Sequence, residues 1–138
     1  MKLRAVIGSI MLSIIVLVSC QDNESLDFKR YYSAGQLVYQ KNCQNCHGEN
    51  GEGLQALMPP LNDSTFLRRN IKTLPCVVKT GLKGKITILQ KEFDWNMPAI
   101  NLNFMETAQA LTYITNSFGN HLGVFTYNDV NADVSNCK

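Results

Sequence analysis

Hydrophobic positions near the end of the chain recur with the period of a helix. Thr107, Ala110, Leu111, Ile114 and Phe118 lie on one face, Asn103 and Glu106 form a capping pair ahead of them, and Gly119 stops the run. An earlier helix is predicted from about residue 34 into residue 43. Ser33 and Gln36 have the spacing of a capping box, and Tyr32 and Leu37 hold the positions of a hydrophobic staple. Leu37, Val38 and Asn42/Cys43 are then spaced to turn one side inward. Residues 66–81 read as helical, with Pro75 starting a last short helix or kinking a longer one and Gly81 capping it. Residues 85–93 alternate weakly and carry β-branched side chains, which predicts a small hairpin. Its turn would fall at Leu89-Gln90, where Asn-Gly is the usual pair. Residues 121–138 show no helical pattern and are expected to pack across the body as a tail.

The N-terminal pattern is of another kind. Lys2 and Arg4 precede an apolar run over residues 10–18, followed by small Ser19 and then Cys20. The run falls short of the roughly 20 residues a membrane-spanning helix needs, so residues 1–19 read as an export signal that is cut off. Leu17-Val18-Ser19-Cys20 resembles a bacterial lipobox. That resemblance implies that Cys20 becomes the lipid-modified first residue, anchoring an exported domain to a bacterial membrane facing the periplasm, with the outer membrane an open alternative. An uncleaved signal anchor, or an ordinary signal with an incidental cysteine, also places the domain outside the cytoplasm. Residues 20–32, with Asp22, Glu24 and Asp27, read as a polar tether.

Composition narrows the class. A chain of 138 residues, 45% hydrophobic and 17% charged, holds one domain with a modest core and has no room for a separate substrate domain. Removing Lys2 and Arg4 with the signal leaves 11 of the 13 bases against 11 acids. Such a balance offers no basic face for nucleic acid.

Cys43-Gln44-Asn45-Cys46-His47 carries the chemistry. Two thiols three positions apart on a helical turn reach the two vinyl groups of a haem as thioethers, and the adjacent imidazole falls beneath the iron. A thioredoxin-like pair, a zinc site and a structural disulfide are the alternatives. The redox pair wants a strand before the motif, whereas here a helix precedes it and Gly48, Gly51 and Gly53 follow. Zinc lacks ligands, since the only other histidine is His121 and adjacent Cys46 and His47 fit one tetrahedral ion poorly.

With that motif, residues 33–120 resemble a bacterial class I cytochrome c domain. The resemblance implies an all-α cytochrome c fold, three to four helices around one covalent haem c, with a small β-hairpin before a distal methionine loop and the last helix crossing the first near the haem. Met58-Pro59-Pro60-Leu61 is similar to the family's proline segment, which makes the Pro59 carbonyl the acceptor for the Nδ1 hydrogen of His47. Asn96-Met97-Pro98-Ala99 is similar to the distal loop, which makes Met97 the sixth ligand of the iron. Core packing is the alternative for Met97. Met58 lies too close to His47 in sequence to reach the other haem face easily, Met105 sits in a helical pattern, and His121 is the rival ligand. Tyr113 and Phe118 are read as core packing.

Of five cysteines, lipid at Cys20 and haem at Cys43 and Cys46 leave Cys76 and Cys137. In an oxidising compartment these are expected to pair, closing a loop of about 60 residues; free thiols and a bridge between chains stay open. The functional expectation is a membrane-tethered one-electron carrier between respiratory partners, such as an oxidase, a reductase or a quinol-oxidising complex. It needs no small-molecule substrate and is not an enzyme. The alternatives are a dedicated cytochrome subunit of an oxidase, nitrite reductase or dehydrogenase complex, and a haem sensor or peroxidase-like enzyme. Lys79, Lys83, Lys85 and Lys91 are read as a solvated face, with steering of an acidic partner as the alternative.

Overall fold

The first helix, α1 (Asn23–Asn42), is 20 residues long and starts well before the predicted residue 34 in the computed structural model, which describes residues 23–137. The signal segment and Cys20 lie outside the described residues. Residues 23–32 of the expected tether therefore continue the helix. Aromatic contacts account for this: Phe28 stacks on Tyr32 at 5.6 Å, and Tyr32 packs on Tyr113 at 5.1 Å while its hydroxyl pairs with Ser117 Oγ at 2.9 Å. Those contacts hold the early turns against the body. Ser33 sits inside the helix and donates back to the Arg30 carbonyl, so it caps nothing. Leu37 is 68% exposed and forms no staple; the inward face is carried by Gly35 and Tyr39.

At Gly35, α1 crosses α5 (Phe104–Ile114) at backbone distance. A Cβ there would overlap the Gln109 carbonyl. The capping box ahead of α5 forms as the spacing predicts, with Asn103 Oδ1 accepting from the Glu106 amide and Glu106 Oε2 from the Asn103 amide, both at 2.9 Å. α5 ends at Ile114, earlier than Gly119 would place it. Phe118 lies beyond it at φ +58° and still reaches the core, 5.4 Å from the Tyr39 ring and 5.7 Å from that of Tyr113.

Between these helices run α2 (Gln44–His47), α3 (Ser64–Arg69) and α4 (Leu74–Thr80). Asp63 caps α3 by accepting from the amides of Thr65 and Phe66 at 3.0 and 3.1 Å. Pro75 opens α4 within its first turn, where its missing amide costs nothing, so the predicted segment 66–81 is two short helices. The hairpin of β1 (Lys85–Ile88) and β2 (Lys91–Asp94) pairs Ile86 with Phe93 and Ile88 with Lys91. Its two-residue turn has Leu89 at φ +48° and Gln90 at φ +62°, the left-handed geometry for which Asn-Gly is the usual choice. The Leu89 amide donates to Asp63 Oδ2 at 3.2 Å.

The tail differs from expectation: Tyr127–Val134 forms a sixth helix, α6. Thr126 and Asp129 cap it reciprocally, Val130 is wholly buried, and the Tyr127 ring packs 5.9 Å from Phe104. Only Val130 and Val134 mark its apolar side among Asn and Asp residues, too few to make a periodic signal. Among the described residues there are thus six helical segments where three to four were expected, the additions being one-turn α2 and α6. Cys137 is joined to Cys76 of α4, with Cα atoms 5.6 Å apart and a sequence separation of 61.

Replacing Gly35 with alanine is expected to lower stability by about 1–3 kcal/mol through overpacking at the crossing, read as a lower urea midpoint at unchanged slope. The pair Leu89→Asn, Gln90→Gly is expected to raise stability by about 1 kcal/mol by relieving two left-handed residues, and an unchanged thermal midpoint would count against strain in that turn.

Candidate functional site

The site is built at the end of α1. Cys43 bonds back to Tyr39 through its amide at 2.8 Å, and the Cys46 and His47 amides bond to the Cys43 carbonyl at 3.1 and 3.0 Å. The motif is therefore one helical turn, with both thiols three positions apart on it. Tyr39, 1% exposed, donates its hydroxyl to the Gly48 carbonyl at 2.6 Å and pins the end of that turn. Burial, then the neighbouring Cys43, raises the Tyr39 pKa well above the ordinary phenol value, so the hydroxyl stays a donor.

After His47 the chain doubles back. The Gly53 amide bonds to the His47 carbonyl at 2.7 Å, Leu54 to Met58 at 3.0 Å, and Leu61 to Gly51 at 2.7 Å. This fold-back places the Pro59 carbonyl 3.0 Å from His47 Nδ1. A carbonyl only accepts, so Nδ1 carries the hydrogen and Nε2 keeps its lone pair for a metal. Burial lowers the His47 pKa and the Pro59 bond partly opposes it, which leaves a neutral imidazole at neutral pH.

Met97 is held from a different direction. Its amide donates to the Leu82 carbonyl at 2.9 Å and its carbonyl accepts from the Leu82 amide at 3.0 Å. Gly81, at φ +78°, lies beneath the loop, and a Cβ there would run into the Met97 carbonyl.

Two adjoining cavities of about 160 and 300 Å³ open between these segments, and Cys43, His47, Pro59 and Met97 wall both. Leu82, Ile86 and Ile100 are also shared. Phe93 and Trp95 complete one lobe, while Leu67, Val78, Leu111 and Ile114 line the other. An apolar cleft with an imidazole, a thioether and two thiols on its walls suits a flat apolar macrocycle whose iron takes axial donors. It does not call for a polar ligand: among the described residues the one buried side-chain polar atom without a partner is Asp133 Oδ2, which is not on the cleft.

The alternatives to haem fit less well. Burial, then the charge of Cys46, pushes the Cys43 thiol up to about 11, opposite to the lowered value a dithiol redox site needs. Among the described residues no cluster of three or more His, Cys, Asp or Glu side chains is placed to hold a metal ion, so zinc lacks its ligands. His121 is exposed and does not line the cleft; Met105 is exposed on α5; Met58 lines the smaller lobe with Cys46 and His47.

Two residues that shape the cleft escaped the sequence. Asn120, wholly buried, donates to the Leu61 and Ile114 carbonyls at 2.7 and 3.0 Å and accepts from Ser64 Oγ at 2.7 Å, fastening the proline segment to α3 and α5. A lone asparagine after a helix gives no signal for this. Trp95, half exposed at the cleft, had one: it is the sole tryptophan, two residues before Met97. The lysines are partly occupied. Lys79 donates to the Leu102 carbonyl at 2.6 Å and Lys85 pairs with Glu92 at 2.7 Å.

Residues 31–114 match the family model described as cytochrome c oxidase, cbb3-type, subunit III. No curated protein matches the chain.

Gly81→Ala is expected to destabilise the protein by about 1–3 kcal/mol, because a side chain at that φ is strained and also displaces the Met97 backbone. Thermal unfolding against Gly84→Ala, a glycine at positive φ with nothing near its Cβ position, separates the close approach from the backbone strain.

Proposed function

The chain belongs to that family of cytochrome c domains, and from this premise we propose that it is a membrane-tethered monohaem electron carrier working on the periplasmic side. Membership makes it a haem-binding electron-transfer cytochrome with haem c as cofactor. In the finer reading Cys43 and Cys46 would hold the haem through two thioether links and His47 and Met97 would ligate its iron. The observation that carries it is the 3.0 Å bond from His47 Nδ1 to the Pro59 carbonyl, with Met97 on the wall of the same apolar cleft.

When bound, the haem supplies one-electron chemistry between ferrous and ferric iron. The chain does the rest. Cys43 and Cys46 fix the cofactor against α2, and Pro59 holds the imidazole in one tautomer and raises its basicity. Met97 would supply a soft, neutral sulfur that favours the reduced metal. Leu82, Ile86, Phe93 and Ile100 line the cleft and would exclude water from a haem held there, which limits reorganisation on electron transfer. A backbone-bonded Met97 loop argues against an open sixth position, and with it against the sensor or peroxidase-like reading.

Cys20 as a lipid attachment site would keep the domain at a membrane, where brief, small interfaces with an oxidase, a reductase or a quinol-oxidising complex suffice. The description of the matched family as an oxidase subunit favours a second reading, a dedicated cytochrome subunit of an oxidase, nitrite reductase or dehydrogenase complex. Co-purification of the tagged protein with one enzyme in fixed proportion decides for it.

The test of the haem assignment is the far-red charge-transfer band of the ferric protein, which reports methionine sulfur on iron. It is expected in the protein matured with haem-attachment machinery and expected to vanish in Met97→Ala. A protein that lacks the band and binds carbon monoxide readily when reduced would overturn the His47/Met97 site.

A further inference from the structure

The tail beyond the matched residues is wired to the part of the fold that carries Met97. Each hydrogen bond from residues 95–102 to another segment, among the described residues, ends on residues 78–82. Met97 and Leu82 exchange two, the Ile100 amide donates to the Val78 carbonyl at 2.9 Å, and Lys79 Nζ reaches the Leu102 carbonyl at 2.6 Å. α4 is therefore the platform from which the methionine loop hangs.

α4 is only seven residues long, too short to hold itself in place without tertiary contacts. Its inner side is seated by Leu74, Pro75 and Val78. Cys76 is bonded to Cys137 at the end of the tail. The tail is firmly seated in turn: Thr112 and Phe125 exchange bonds of 3.0 and 3.3 Å, Asn116 and Gly123 bonds of 2.7 and 3.1 Å, and Val130 is wholly buried. A rigid strap thus runs from α5 through α6 to α4.

We propose that the Cys76–Cys137 bridge is a positioning device for Met97: it holds α4 where the methionine loop meets the iron, and opening it frees the sixth coordination position for small ligands. The proposal rests on the axial role of Met97 given above. Opening is a thiol–disulfide exchange in which a dithiol is oxidised to its own disulfide while Cys76 and Cys137 take up two electrons and two protons as thiols. The Cys76–Cys137 S–S bond is the one bond broken in the protein, and the reagent gives up two S–H bonds as its own S–S bond forms. An observed ligand affinity scales with the fraction of molecules whose site is open, so a loosened Met97 shows as tighter binding of an external ligand.

The test uses the holoprotein in two forms. In the ferric state, imidazole is titrated into wild type, Cys76→Ala/Cys137→Ala, and Ala108→Gly, which destabilises α5 at a buried position away from the cleft and the tail and leaves the bridge closed. Imidazole is expected to bind the bridge-free variant about tenfold more tightly or more, while Ala108→Gly stays near wild type despite its loss of global stability. In the ferrous state, carbon monoxide association is compared after reduction with ascorbate, which spares the bridge, and after dithiothreitol, which opens it. This second arm needs no variant to fold, and faster binding after dithiothreitol is expected. Equal imidazole affinity in wild type and the bridge-free variant, an equal rise in Ala108→Gly, or carbon monoxide rates indifferent to dithiothreitol would overturn the proposal. Loss of the far-red band in wild type itself would instead remove the Met97 assignment on which it rests.

Discussion

The close approach of α1 and α5 at Gly35 is the contact on which the rest of the site depends. A side chain there would hold the two backbones apart, and the aromatic cluster of Tyr32, Tyr39, Tyr113 and Phe118 would lose its packing. Tyr39 belongs to that cluster and also bonds the Gly48 carbonyl, so the helix crossing is mechanically continuous with the turn bearing Cys43, Cys46 and His47. A motif recognisable by spacing becomes a site because its last turn is anchored to the core.

His47 and Met97 are then oriented by bonds to backbone carbonyls and amides along the cleft wall. Pro59 fixes the His47 tautomer, Asn120 fixes the proline segment, and Leu82 fixes Met97. The cleft itself is left apolar. This division of labour suits a cofactor whose charge changes by one unit: the polar groups hold geometry and the walls keep the dielectric low, so little has to move when an electron arrives.

The region after residue 114 is beyond the family match yet is tied covalently to α4. Thr112, Asn116 and the bridge at Cys137 fasten it. With α4 as short as it is, its position is decided by what it is tied to, and the tail is one of those ties.

The sequence by itself determined the chemistry and the strongest local elements. The Cys43–His47 motif, the Asn103/Glu106 cap and the β-branched run before Leu89 are local signals, fixed by covalent spacing or by bonds within a few residues. Sequence resemblance also pointed to Pro59 and Met97 as partners of the site. It did not determine where α1 begins, that Leu37 faces solvent while Gly35 and Tyr39 face inward, that the tail forms α6, or that Asn120 clamps the proline segment. Each of those depends on groups far apart in the chain: Tyr32 meets Tyr113, Gly35 meets Gln109, Phe104 meets Tyr127 of α6, and Ser64 meets Asn120. Periodicity and capping report the energy of neighbours in sequence, whereas helix ends, inward faces and buried polar bonds are settled by the partners that only the tertiary structure brings within reach.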